Sequence, residues 1–194
     1  MGARNNTYNR IIEKGAALIH RKGYNATGLK EILQKAGVPK GSFYFYFESK
    51  EDFGIEVINY FSSTIESFFK QYLLDKTVPP LKRFENLVNF YVKMFEKSNF
   101  SLGCPIGNLS LEMADTNKRF KSKLSGVVDN LIVYITLCLK EAQEDGSIRK
   151  SIHIDDVAKL IFYGFEGAIL HMKLVNSSKP LITFYNSIIN YLTK

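Results

Sequence analysis

The sequence predicts an all-α protein built in two helical parts, and two observations support this prediction. Apolar residues recur at intervals of three and four along most of the chain, which is the spacing of one face of an α-helix. No segment shows the strict alternation of a half-buried strand, and glycines and prolines separate the periodic runs. With 194 residues, of which 45% are hydrophobic, the chain can bury the core of one or two small domains.

The first predicted helix ends at a glycine. Ile12, Ala16 and Ile19 lie at helical spacing. Gly23 follows them, where a helix needs a residue that accepts the left-handed conformation in order to stop. A helix that ends just before Gly23 is therefore expected.

The next two helices are predicted to form a helix-turn-helix. Ile32 and Ala36 belong to the apolar stripe of the first helix, and Gly37 suits a tight turn between crossed helices. Phe43 and Phe47 lie four apart on the second helix and are expected to face the core. The outward set is rich in hydrogen-bond donors: Lys40, Gly41, Ser42, Tyr44 and Tyr46. Such a set can contact the major groove of DNA, although an ordinary αα-corner has the same turn.

The sequence around this turn resembles a known family signature. Residues 37–53, Gly-Val-Pro-Lys-Gly-Ser-Phe-Tyr-Phe-Tyr-Phe-Glu-Ser-Lys-Glu-Asp-Phe, resemble the signature of the TetR/AcrR family of transcriptional regulators. Residues 16–27 look like the end of that family's first helix and the loop that follows it. Pro39 departs from the family, which often has a capping serine there. Phe45 occupies a variable position that is often polar or basic, so it cannot supply a hydrogen bond there.

The resemblance implies both a domain organisation and a function. It implies a helix-turn-helix DNA-binding domain over residues 1–50 and a helical ligand-binding and dimerisation domain over residues 51–194. The implied function is that of a ligand-responsive regulator, most often a repressor that a small molecule releases from its operator. The expected DNA-binding residues are Thr27, Lys40, Gly41, Ser42, Tyr44, Tyr46 and Lys50.

The positive charge of the chain is concentrated near its start. Residues 1–47 hold eight Lys or Arg and two acidic residues, so this segment carries +6 of the total charge of +7. Net charge alone does not show whether the partner is DNA, RNA or an anionic membrane. Positive charge in the segment that contains a helix-turn-helix favours double-stranded DNA. Because one short recognition helix covers few base pairs, we expect a dimer on a pseudo-palindromic operator.

A long helix is predicted from Lys50 to about Leu74. Ser49 is a good N-cap, and two acidic residues follow in the first helical turn. The segment 75–80 ends in two prolines, which cannot continue the helical ladder. Apolar spacing marks the next helix over 81–95.

Three further helices are predicted toward the end of the chain. The first covers 120–138 and continues to a stop at Asp145-Gly146. Another begins at Asp155, and a last amphipathic helix covers 181–192.

The helix that begins at Asp155 is apolar on two faces. Val157, Ile161 and Ala168 lie on one face. The other face is formed by Ala158, Phe162, Phe165 and Ile169. A helix of this kind is either fully buried in its own chain or shared with a partner. We interpret residues 155–193 as half of a four-helix bundle in a homodimer, which the resemblance also implies.

The small-molecule effector would bind in the C-terminal part. The candidate pocket residues are aromatic, thiol and amide side chains: Tyr91, Phe95, Cys104, Asn108, Tyr134, Cys138, Phe162 and Phe165. Aromatic residues at helical spacing also form ordinary cores, so this pocket is a hypothesis.

Cys104 has two interpretations. Pro105 is expected at the first position of a helix, which places Cys104 at the N-cap, where the helix dipole favours a thiolate. The segment 103–109, Gly-Cys-Pro-Ile-Gly-Asn-Leu, also looks like one found in a subset of the family. Cys104 is then either a thiol that senses electrophiles or oxidants, or a small residue that tightens the entry to the helix. Cys138 lies in the middle of an apolar stripe.

No spacing typical of a catalytic or metal site is found, and no cofactor, metal or catalytic residue is predicted. His20, His153 and His171 are far apart, and the two cysteines form no CxxC pattern. The alternative classes are a helical small-molecule carrier or enzyme and a dimeric interaction protein with a vestigial helix-turn-helix. A carrier or enzyme would not account for the concentrated charge. With no leader and no uninterrupted apolar run of membrane length, a cytoplasmic protein without a membrane segment is expected.

Overall fold

The computed structural model describes residues 2–194, with side chains from Asn6 onward, so Met1 of the first predicted domain lies outside the described residues. Over residues 2–194 the chain forms nine α-helices and no strand, which confirms the predicted all-α class. The helices are α1 (Gly2–Lys22), α2 (Leu29–Ala36), α3 (Lys40–Tyr46), α4 (Lys50–Leu73), α5 (Pro80–Lys97), α6 (Pro105–Met113), α7 (Lys118–Glu144), α8 (Ile154–Val175) and α9 (Lys179–Thr193).

Local sequence signals set several helix ends, as predicted. The backbone N–H of Asp52 donates to Ser49 Oγ at 3.0 Å, and the Ser49 hydroxyl donates to the Asp52 carboxylate at 2.7 Å, so Ser49 caps α4. Pro80 and Pro105 are the first residues of α5 and α6. Gly23 ends α1 with a φ of +89°, and its N–H donates to the Ile19 carbonyl at 2.8 Å. The predicted ends at Ser49, Pro105 and Gly23 are confirmed, and α5 begins at Pro80, one residue before its predicted start at Leu81.

The chain divides into two compact units. The first unit runs to Thr64 and resumes over Pro105–Gly126, and the second consists of Ile65–Cys104 and Val127–Lys194. The predicted functional division between residues 50 and 51 stays a prediction.

The first unit is built around aromatic and branched side chains. Its most completely buried large residues are Ile11, Ile32, Phe43, Phe53, Ile58, Ile106 and Phe120. Helix α1 comes close to its neighbours at Gly15, where an added Cβ would clash with Cζ of Phe53. The glycine therefore lets α1 pack against the ring of Phe53.

The second unit contains a buried charge. Arg83 of α5 is 3% exposed, and its guanidinium donates to the Glu141 carboxylate of α7 at 2.8 Å. The same guanidinium donates to the carbonyls of Val78 and Leu73 at 2.6 and 3.3 Å. Because these bonds satisfy the buried donors, Arg83 fastens the turn between α4 and α5 to α7.

Helix α7 is, among the described residues, the one helix long and apolar enough to cross a membrane by length and composition. A core helix of a soluble protein passes the same test. The buried side chains of α7 are Phe120, Leu124, Val127, Leu131, Ile135, Cys138, Leu139 and Ala142.

Helix α8 is not the fully buried central helix that the sequence left as an alternative. Both predicted apolar faces are buried within the chain, whereas a third set is exposed: Leu160, Tyr163, Leu170, Leu174 and Val175. In addition to the two apolar stripes predicted from the sequence, α8 carries this third apolar set. Because apolar residues surround most of the helix, periodicity alone could not predict which face is exposed.

Candidate nucleic-acid interface

Helices α2 and α3 are joined by a turn that depends on one glycine. Gly37 has a φ of +63°, and its N–H donates to the Gln34 carbonyl at 3.2 Å. The next N–H, that of Val38, donates to the Leu33 carbonyl at 3.1 Å. This left-handed cap stops α2 within one residue and turns the chain directly into α3. The predicted helix-turn-helix is therefore present.

Helix α3 has one buried face and one open face. Phe43 and Phe47 are buried and pack on Phe53, with ring centroids 5.6 and 5.2 Å away. The predicted outward residues form the remainder of the helix. Of these, Lys40, Gly41 and Tyr44 are exposed, while Ser42 and Tyr46 are half-buried. Phe45, which was not predicted to contact DNA, is exposed beside them.

The side chain of Thr27 is enclosed within the loop that follows α1. It is fully buried, and its hydroxyl donates to the Gly23 carbonyl at 2.6 Å. The loop after α1 uses this hydroxyl to close its own turn. The DNA contact predicted for Thr27 stays a prediction.

Lys50 is engaged within the unit. Its ammonium donates to the Tyr24 carbonyl at 2.8 Å and lies 4.3 Å from the centroid of the Tyr24 ring. Burial lowers the pKa of Lys50, and the charge of Glu112 opposes that shift. A phosphate contact of Lys50 stays a prediction. It would use the ammonium N–H groups that do not donate to the Tyr24 carbonyl.

A distant segment holds the loop that leads into the helix-turn-helix. The Glu112 carboxylate of α6 accepts the backbone N–H groups of Tyr24 and Asn25 at 2.8 and 2.7 Å. The ring of Phe120 packs against that of Tyr24, 4.8 Å between centroids. Burial is the main cause that raises the pKa of Tyr24 to about 12, and the neighbouring carboxylates add to it. The phenol is therefore protonated at neutral pH.

The same segment is bound to the start of α4. Arg119 donates to the carboxylates of Glu51 and Asp52 at 2.9 and 2.8 Å, and the Asn117 amide donates to Glu51 at 2.9 Å. Hydrogen bonds from Ser49 and Arg119 lower the pKa of the Asp52 carboxyl. Sequence analysis missed Glu112, Asn117 and Arg119, because no local pattern distinguishes these residues from a solvated helix face.

Some of the predicted pocket residues come together in the second unit. The Tyr91 ring lies 5.0 Å from that of Phe165 and 6.0 Å from that of Phe95. Burial holds the pKa of Tyr91 well above its usual value, with smaller contributions from Cys104 and Glu166. Burial also raises the pKa of the Glu166 carboxyl, and a hydrogen bond with Cys104 opposes that shift.

The other predicted pocket residues have different surroundings. The Tyr134 hydroxyl donates to Glu66 at 3.5 Å, and the Cys138 thiol donates to the Pro80 carbonyl at 3.3 Å. Phe162 is buried, and Asn108 is an exposed residue of the first unit. Within the described part of the chain, no group of three His, Cys, Asp or Glu side chains could hold a metal ion.

Two family profiles match the chain. One is described as bacterial regulatory proteins of the tetR family and matches residues 11–57. The other is described as a tetracyclin repressor-like C-terminal domain and matches residues 80–188. Together they cover both the helix-turn-helix and most of the second unit.

Individual proteins resemble the chain over nearly its whole length. The HTH-type transcriptional repressor DhaR of Mycobacterium sp. (strain GP1) is 34% identical over 90% of this chain and 86% of its own. The transcriptional regulator AcuR of Cereibacter sphaeroides is 34% identical over 90% of this chain and 80% of its own. The crystal structure of regulatory protein TetR from Rhodobacter sphaeroides has a TM-score of 0.90 at 32% identity, covering 96% of this chain and 98% of that one.

Proposed function

The chain belongs to the TetR family of bacterial regulatory proteins, and from this premise we propose which surfaces bind DNA, effector and partner. It is a ligand-responsive, DNA-binding transcriptional repressor and not an enzyme. Regulators of this family bind operator DNA and small-molecule effectors and act as dimers. The cytoplasm, where the chromosome lies, is the proposed location of this protein.

Helix α3 is the proposed recognition helix. The observation that carries this proposal is the open face of α3, which presents an ammonium and hydroxyl groups beside a segment of net charge +6. Lys40 is assigned a base contact and Tyr44 a phosphate contact, because base edges carry sequence information and phosphates position the protein. Gly41, Ser42 and Tyr46 complete the proposed DNA surface, and Lys50 is proposed to reach a phosphate.

Two copies are proposed to associate through residues 155–193. Leu160, Leu170 and Leu174 of α8 leave apolar surface exposed at helical spacing. A Cβ added to Gly167 would meet nothing within 4 Å, so the backbone of α8 is open to a second helix there. A groove of about 680 Å³ lies between α8 and α9 and is lined by Gly167 but not by the three leucines. An apolar face of this kind on a helix pair favours burial against a symmetric copy.

The effector is proposed to bind in the second unit at the aromatic cluster of Tyr91, Phe95 and Phe165, beside Cys104. Such clusters bind apolar or aromatic small molecules, and the half-buried Glu166 adds a polar group. A bound molecule releases DNA only if it binds the DNA-free conformation more tightly than the DNA-bound one. The contacts of Glu112 and Arg119 are the proposed links to the helix-turn-helix. Glu112 binds the loop that precedes α2, and Arg119 binds the start of α4, which follows α3.

The test is a gel shift with double-stranded DNA fragments that flank the protein's own gene. Lys40→Ala should weaken binding by about 1–3 kcal/mol, as expected for a lysine that reads a base. Tyr44→Phe should weaken binding equally on all sequences, as expected for a phosphate contact. Lys93→Ala, an exposed lysine of α5, is the matched control and should bind like wild type. Unchanged affinity in both α3 variants would remove this helix from the interface.

A further inference from the structure

The residue at the centre of the open face of α3 is a phenylalanine. Phe45 is two positions from Phe43 along α3, so its side chain points roughly 160° away from that buried ring. It is 58% exposed. Gly41 lies one turn before it, and a Cβ added there would meet nothing within 4 Å. The face of α3 that lies opposite Phe43 therefore presents an exposed aromatic ring beside a bare stretch of backbone.

The Phe45 ring is held in place by a row of aromatic side chains. Its centroid lies 4.9 Å from that of Tyr46, with the two ring planes at 88°. Tyr46 in turn lies 5.8 Å from Tyr8 of α1, edge to face. The Tyr8 hydroxyl donates to Glu56 of α4 at 2.9 Å, which ties the row to a third helix. An exposed ring that is oriented in this way loses little further freedom when it contacts a ligand.

The chemistry of this surface narrows what the ring can contact. Phe45 has no hydrogen-bonding group, whereas the neighbouring Lys40 and Tyr44 are exposed donors suited to DNA. In the major groove each base edge presents hydrogen-bonding atoms, and thymine alone among the four bases adds an apolar group, its C5-methyl. A phenylalanine side chain on the face of α3 that enters the groove thus has one complementary apolar group there, the thymine methyl.

We propose that Phe45 is a specificity-determining residue that packs against the C5-methyl group of thymine in the operator. This proposal rests on the proposed function, because it takes α3 as the recognition helix. Specificity at that base pair then comes from an apolar contact, and Tyr46 acts as the positioning residue that fixes the angle of the ring.

The test uses deoxyuridine, which differs from thymidine only by the missing methyl group. The probe is the tightest-binding duplex that wild-type protein selects from a random-sequence pool, resynthesised with deoxyuridine in place of each thymidine in turn. Loss of one buried methyl should weaken wild-type binding roughly fourfold at one or two positions in each half-site. Phe45→Ala should bind the thymidine and deoxyuridine duplexes equally. Phe45→Leu should keep part of the discrimination, and Tyr44→Phe should keep all of it.

The outcomes separate this proposal from the one it rests on. Equal wild-type affinity for every deoxyuridine duplex, or a selected sequence without thymine in the half-sites, overturns the thymine contact and leaves DNA binding intact. Discrimination that persists in Phe45→Ala overturns it as well, since another side chain then reads the methyl. Failure of wild-type protein to select any duplex overturns the proposed function itself. Thermal melting of Phe45→Ala, with an unchanged midpoint, shows that the variant is folded.

Discussion

Gly23 leaves the space that the carboxylate of Glu112 occupies. A Cβ on Gly23 would stand 2.9 Å from Oε2 of Glu112, and its φ of +89° is a conformation that other residues adopt only with strain. The carboxylate reaches past this glycine to the backbone N–H groups of Tyr24 and Asn25. A residue of α6 therefore holds the loop that leads into α2.

Glu112→Ala is predicted to weaken both the fold and DNA binding. Two charge-assisted hydrogen bonds are lost, so the free energy of unfolding should fall by about 1–3 kcal/mol in urea titrations. The affinity for DNA should also fall, and by the same factor for every DNA sequence, because α3 is held less rigidly. Glu13→Ala, which removes an exposed glutamate of α1, is the control. Wild-type stability in Glu112→Ala would mean that the loop does not need this link.

Leu174→Glu is predicted to break the dimer. Leu174 is 72% exposed on α8, and a two-fold interface would place the new charge in the contact twice. Light scattering coupled to size exclusion should report a monomer that no longer binds the full operator. Leu111→Glu is the matched control, because Leu111 of α6 is 80% exposed and lies outside residues 155–193. A Leu174→Glu dimer of wild-type affinity would place the interface elsewhere.

The two thiols are predicted to differ in reactivity. Burial raises the pKa of Cys138 to about 12, so this thiol should react with iodoacetamide at pH 8 only after unfolding. Cys104 is half-buried and should be alkylated first, as mass spectrometry of the labelled peptides would show. Faster labelling of Cys138 would contradict this prediction.

Cys104→Ser distinguishes the two interpretations of Cys104. The hydrogen-bonded partner of this thiol is Glu166, and a nearby carboxylate, when ionised, opposes formation of a thiolate. We therefore expect Cys104→Ser to bind and release operator DNA like wild type, as a structural residue would allow. Alkylation that releases DNA from wild type but not from Cys104→Ser would instead support a thiol sensor.

Arg83→Met is predicted to destabilise the second unit by about 1–3 kcal/mol, since the partly exposed Glu141 would lose a charge-assisted hydrogen bond. The hydrogen bond with Arg83 lowers the pKa of Glu141 below its usual 4.5. A lowered pKa means that the pair stabilises the fold above pH 4.5 and that this contribution is lost as pH falls through the lowered value. In urea titrations, the free energy of unfolding should decrease less between pH 7 and pH 3 for Arg83→Met than for wild type. Equal losses would contradict the assignment.

Signals that act within a few residues were predictable from the sequence. Ser49 caps α4, Pro105 opens α6 and Gly37 turns α2 into α3, because each fixes the backbone of its own neighbourhood. The outward position of Lys40 and Tyr44 followed from helical periodicity alone.

Contacts between distant segments were not predictable. Glu112 lies 88 residues from Tyr24, and nothing in its local sequence marks it as a partner of that loop. Arg83 resembles any exposed arginine on an amphipathic helix until its bond to Glu141 is seen. The exposure of Phe45 likewise depends on how α3 packs through Phe43 and Phe47.

Hydroxyl-radical footprinting of wild-type protein on its selected duplex tests the central claim, that a dimer reads DNA with two copies of α3. Two protected half-sites related by two-fold symmetry, with centres about one helical turn apart or slightly more, are predicted. A single asymmetric half-site at saturating protein would contradict the account, because one copy of α3 would then suffice.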